Sequence, residues 1–181
     1  DKTFAPDLAT AKQIFRIAKA HGTPFFSTSA LRFADELERF RGADDLSVTA
    51  GGTDFEEYLI HPVEMLVKLL ADPAERATVE VCGEKRVCRI ITQQGKTAAI
   101  TFSPALGYTV SGTDAAGERI CAEVTSDYFA NLLTEILRFY ESGELPFDPD
   151  QTLEVMRLRT MLLRAQKTPG AWVTDSGEEP A

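Results

Sequence analysis

His21 and His61 are the only imidazoles in the 181 residues, which makes the search for acid–base chemistry short. His21 directly precedes Gly22 at the end of a helical pattern, where the helix dipole favours a cation. His61 stands differently. It follows the apolar pair Leu59-Ile60 and precedes Pro62, at the edge between a loop and an apolar helix. Glu57 lies four residues before it and Glu64 three after, near enough for a carboxylate to orient or charge the ring. From the residues alone two readings of His61 stand: a positioned acid–base group, or a hydrogen-bonded structural histidine at a helix start. Lys2 reads by itself as a solvated lysine. Arg32 is either a salt-bridged arginine of an amphipathic helix or a substrate contact. Tyr108 and Trp172 carry aromatic faces that a ligand ring could stack on, although packing explains both more simply.

Other chemistries find little support. Cys82, Cys88 and Cys121 occur singly, with no CxxC or Cys/His spacing for zinc, and their odd count makes no disulfide framework. They are expected to be buried, reduced thiols, as in a cytoplasmic protein. The sequence contains no GxGxxG, GxxxxGK[ST] or GxSxG. By itself, then, the chain offers no usual backbone nest for a pyrophosphate and no nucleophile elbow. Nineteen Lys and Arg against 28 Asp and Glu give a net charge of −9, which opposes binding to nucleic acid or anionic membranes. No apolar run approaches the length of a membrane span. With 44% apolar and 26% charged residues the composition is that of a globular chain.

The elements that must position these residues follow from periodicity. A helix is expected over Leu8–Ala20, with Asp7 as N-cap and Gly22 as stop. Residues 23–27 read as a short buried strand and residues 29–41 as a second helix with Phe33, Ala34, Leu37 and Phe40 inward. Leu46, Val48 and Ala50 alternate as a strand ending at the turn Gly51-Gly52, and an apolar helix begins near His61-Pro62. Over residues 77–125 the period becomes two, in short runs broken by turn residues, which predicts an antiparallel meander. Two helices close the pattern. One starts at Ser126 or Asp127 with a stripe of Phe129, Leu132, Leu133, Ile136 and Tyr140. The other starts at Asp148-Pro149 with a stripe of Leu153, Met156, Thr160 and Leu163. The expected class is α+β: a predominantly antiparallel sheet, helices on one face, the other face open. Residues 1–174 are expected to form one domain and the acidic residues 175–181 a frayed tail.

Asp1-Lys2-Thr3-Phe4-Ala5, with the Ala-rich helix that follows, resembles the Glu-Lys-Pro segment of the Gfo/Idh/MocA oxidoreductases. Ser27-Thr28-Ser29-Ala30-Leu31-Arg32-Phe33, the His61-Pro62-Val63-Glu64-Met65 helix, the meander and the closing helices are similar in order to the catalytic domain of that family. The resemblance extends to Trp172. It implies a C-terminal catalytic and substrate-binding domain that begins where an N-terminal Rossmann half ends. Members move a hydride between NAD or NADP and a hydroxyl carbon of a sugar or cyclitol. Lys2 matches the lysine near the nicotinamide and the substrate hydroxyl. His61 matches the histidine that exchanges the hydroxyl proton, with Glu57 as its acidic partner one turn earlier. Thr3 stands where the family has proline, and Glu57 where aspartate is commoner.

The resemblance therefore implies a sugar or polyol substrate, a Rossmann domain as partner, no cofactor bound by this chain alone, and a homodimer or homotetramer built through the open sheet face. A non-catalytic interaction module using that same face, with a structural His61, is the alternative.

Overall fold

Strands with alternating burial, one strongly apolar helix and one amphipathic helix build the core. The computed structural model describes residues 2–114 and 116–175, with every side chain but that of Asp44. Its strands are β1 (Asp44–Ala50), β2 (Ala74–Cys82), β3 (Lys85–Thr92), β4 (Thr97–Phe102), β5 (Thr109–Thr113), β6 (Arg119–Glu123) and β7 (Val173–Thr174). They form one sheet in the order β6-β5-β1-β4-β3-β2-β7. β2, β3 and β4 run as a meander and β5-β6 as a hairpin. β1 enters between them, parallel to β4 and antiparallel to β5, and is the exception in an otherwise antiparallel sheet. The continuous meander expected over residues 77–125 is thus split in two. The physical reason lies in β1 itself. Leu46, Val48 and Ala50 are each at most 1% exposed, which a strand achieves best with neighbours on both sides.

The helices are α1 (Leu8–Ala20), α2 (Phe55–Tyr58), α3 (Ile60–Leu70), α4 (Tyr128–Ser142) and α5 (Pro149–Lys167). Asp7 caps α1 by accepting the Thr10 N–H at 2.7 Å, as its residue type predicts. The helix expected over residues 29–41 is instead two 3₁₀ turns, Ala30–Phe33 and Asp35–Phe40, because Ala34 between them is extended (φ −65°, ψ 130°). Residues 23–27 pair with no strand. Phe25 packs against Phe4 and Phe15, and Phe26 edge-on against Phe139 and Phe147.

α3 and α5 fill the space over one sheet face. Met65, Leu66 and Leu69 of α3 and Leu158 and Leu162 of α5 meet Val48, Val79, Cys88, Ile90 and Ile100 of the strands. Each such side chain contributes roughly 1.5–3 kcal/mol on burial. In α5 the inward face is Val155, Leu158, Leu162 and Ala165, and of the expected stripe only Met156 is buried. α4 buries no residue fully: Leu132 and Ile136 are half-buried, while Phe129, Leu133 and Tyr140 point outward. The opposite sheet face is uncovered and rich in hydroxyls, with Ser47, Thr49, Thr97, Thr101, Thr109, Ser111 and Thr113 on it beside Val87 and Ile91. Cys88 is buried as expected, but Cys82 and Cys121 are exposed at the sheet margin. Among the described residues no helix is long and apolar enough to cross a membrane. Residues 176–181 of the expected tail lie outside the described residues.

The turn after β1 sets the position of the next helices. A Cβ on Gly51 would lie 1.9 Å from the backbone oxygen of Leu106, and one on Gly52 (φ +152°) 2.2 Å from Cγ of Tyr58. Two glycines are needed there because backbone and ring close directly onto them.

Candidate active site

The chain end before α1, the segment leading into the first 3₁₀ turn, the first turn of α3, the approach to β5 and the start of α4 converge on one cleft. Its volume is about 470 Å³, and Lys2, Thr28, Ser29, His61, Tyr108, Tyr128, Phe129 and Leu132 are among its lining residues. His61 is the second residue of α3 and Pro62 the third. A helix accepts proline there because the first N–H groups have no partner within the helix.

Nδ1 of His61 lies 2.6 Å from Oγ of Ser29. The rings of Tyr58 and Tyr108 flank the imidazole, each with its centroid 5.9 Å away. Burial, reinforced by the Lys2 charge, pulls the imidazole from its usual 6.5 down to about 4. His61 is therefore a neutral ring at ordinary pH. Tyr108 donates to the Gly51 carbonyl at 3.3 Å, and burial beside Tyr128 and Tyr58 pushes its phenol up to about 12. Nζ of Lys2 sits 5.2 Å from the centre of the Tyr58 ring and 3.9 Å from Oε1 of Glu57.

The structure brings Lys2 and His61, 59 positions apart in the sequence, to the same cleft. Glu57 is placed elsewhere. Its side chain is 61% exposed and pairs with Lys2, while the group on the histidine ring is the Ser29 hydroxyl. Arg32 does not line the cleft. Its guanidinium, 4% exposed, donates to Glu64 Oε2 at 3.0 Å and to Gln151 Oε1, and lies 3.9 Å from the centre of the Phe147 ring. Burial works against both charges of this pair, raising the Glu64 carboxyl and lowering Arg32, and their mutual attraction opposes it. Oε1 of Glu64 also accepts the Ser29 N–H at 3.3 Å. The buried pair thus stands directly behind the serine that holds His61. Trp172, half-exposed at the β7 edge, is covered by Arg76 and lies outside the cleft.

Sequence reasoning passed over Ser29, Tyr58, Tyr128 and Phe129 as site residues. Ser29 signals only as an N-cap, accepting the Leu31 N–H, and nothing local marks a hydroxyl that also meets a ring 32 positions away. Among the described residues no group of His, Cys, Asp and Glu is arranged to hold a metal ion.

The chain has the fold of the Gfo/Idh/MocA dehydrogenases. It is similar to the myo-inositol dehydrogenase of Lactobacillus casei, solved with NAD(H) and myo-inositol, at a TM-score of 0.73 and 14% identity, covering 98% of this chain and 70% of that one. The myo-inositol dehydrogenase of Corynebacterium glutamicum gives 0.72 and 12%, over 97% and 71%. An Agrobacterium radiobacter oxidoreductase, solved with NAD+, L-tartaric acid and magnesium, gives 0.70 and 16%, over 96% and 71%. No family model and no curated protein matches the sequence.

Proposed function

We propose that this chain is the substrate-binding and catalytic domain of an NAD(P)-dependent oxidoreductase acting on a hydroxyl of a sugar or cyclitol. The observation that carries the reading is that Lys2 and His61 line one cleft in a fold shared with myo-inositol dehydrogenases. The nicotinamide, when bound, accepts or gives the hydride. Hydride transfer at a hydroxyl carbon changes the charge and proton on its oxygen, and His61 and Lys2 are the groups assigned to that oxygen. Tyr108 and Tyr128 offer aromatic walls to the C–H faces of a ring. Glu57 sets the position of Lys2. Arg32, with its fork turned to Glu64 and Gln151, holds the wall of the cleft from behind.

The fit to a dinucleotide is partial. Lys2 suits the nicotinamide end, but the sequence has no glycine turn for the pyrophosphate. Calorimetry of this chain alone is therefore expected to show no saturable NAD(H) binding, and tight binding would overturn the division of labour with a Rossmann partner. The uncovered sheet face, hydroxyl-rich rather than apolar, is assigned to pairing with further copies, as homodimer or homotetramer. A monomer by light scattering at micromolar concentration would contradict that assignment.

A further inference from the structure

We infer that Ser29 is a positioning residue whose hydroxyl donates to Nδ1 of His61 and fixes the neutral imidazole with its hydrogen on Nε2. The two atoms are 2.6 Å apart, so one of them supplies the shared hydrogen. A serine hydroxyl has one hydrogen and two lone pairs. Ser29 is 1% exposed, and its Oγ already accepts the Leu31 N–H at 3.3 Å. Its backbone N–H goes to Glu64. If Nδ1 donated, the hydroxyl hydrogen of a buried serine would need another acceptor, which buried sites rarely leave wanting. Among the described residues, Nδ1 is the acceptor that stands at bonding distance.

The surroundings agree with a neutral ring. The titratable and charged groups facing it are Lys2, Tyr58 and Tyr108. Both nearby carboxylates are turned away, Glu57 to Lys2 and Glu64 to Arg32. With Nδ1 occupied, Nε2–H is what His61 offers a ligand, a donor toward an oxygen. That arrangement polarises a carbonyl or holds an alkoxide, whereas proton acceptance at Nε2 requires the opposite tautomer. This consequence for chemistry rests on reading the cleft as a substrate site; the tautomer itself does not.

Two-bond proton–nitrogen NMR spectra of the labelled chain report the tautomer without substrate or cofactor, so a wrong tautomer and a wrong activity are separate results. With two histidines in the sequence, His21→Gln assigns both rings. The expected spectrum near neutral pH shows His61 with a bare Nδ1 and a protonated Nε2. A donor on Nδ1 favours the neutral ring, so Ser29→Ala is expected to raise the pH at which His61 titrates, and Ser29→Thr to keep it. His21 signals and circular dichroism check that each variant is folded. A protonated Nδ1 in the unaltered chain overturns the inference, as does a titration that falls or stays fixed in a folded Ser29→Ala. If Ser29→Ala does not fold, the unaltered chain and Ser29→Thr still decide.

Discussion

Arg32 and Glu64 form an ion pair at 3.0 Å with side chains 4% and 2% exposed, and the same carboxylate holds the backbone of Ser29 beside His61. Removing one partner leaves a buried charge without compensation, at a cost of about 3–5 kcal/mol. Glu64→Ala is expected to lower the urea midpoint by a corresponding amount. The double change Arg32→Met with Glu64→Leu removes both charges and is expected to cost clearly less than Glu64→Ala alone. A double variant as unstable as the sum of its parts would show that the pair acts through something other than its charges.

Gly52 governs the cleft at one remove. An alanine there places its Cβ 2.2 Å from the Tyr58 ring and keeps a φ of +152° that side chains avoid. Tyr58 in turn neighbours both Lys2 and His61. Gly52→Ala is expected to destabilise the fold by roughly 1–3 kcal/mol and to shift the His61 signals in NMR. An alanine variant with unchanged stability and unchanged His61 signals would contradict this packing.

The pH dependence of stability carries a distinct signature of His61. Its folded value of about 4 lies below the 6.5 of an unconstrained imidazole, so between these values the unfolded chain binds the proton and the folded chain does not. Stability is therefore lost as pH falls from about 6.5 toward 4, by on the order of 3 kcal/mol in total, and this term is flat below that window. Glu36 acts lower. Burial raises its carboxyl, but the hydroxyl and N–H groups of Ser126 and Thr125 outweigh that and bring it from 4.5 to about 2. Glu38, bonded by Arg41 and Lys68 against a smaller effect of burial, is also held at about 2. Both stabilise above 4.5 and lose that contribution toward pH 2. Unfolding followed across pH in His61→Gln should lack the upper window and keep the lower one.

Most of the helix limits were legible because caps and stops are local. Asp7, Asp127 and Asp148 each accept an N–H two or three residues on, and Gly143 closes α4 with φ 72°. The alternating strands were legible for the same reason. What a period cannot say is where a strand sits, and β1 inserts beside β4 through contacts some fifty positions apart, such as Val48 with Ile100. Nor does an apolar stripe say what it faces, and α4 turns Phe129, Leu133 and Tyr140 to the outside. In the site, Lys2 and His61 came from family motifs and meet in one cleft. The resemblance pairs His61 with Glu57, yet a loop serine reaches the ring first because the 3₁₀ turn, not the preceding helical turn, lies against it.

Nicotinamide absorbance decides the proposed activity, measured on this chain joined to the Rossmann domain proposed above and supplied with NAD or NADP and a panel of sugars and cyclitols. Turnover of at least one of them is expected, with a fall of about 10²–10³-fold in hydride transfer for a folded His61→Ala, the usual worth of one donor to a developing oxyanion. Absence of turnover on every polyol with either cofactor, or turnover that His61→Ala leaves intact, would contradict it.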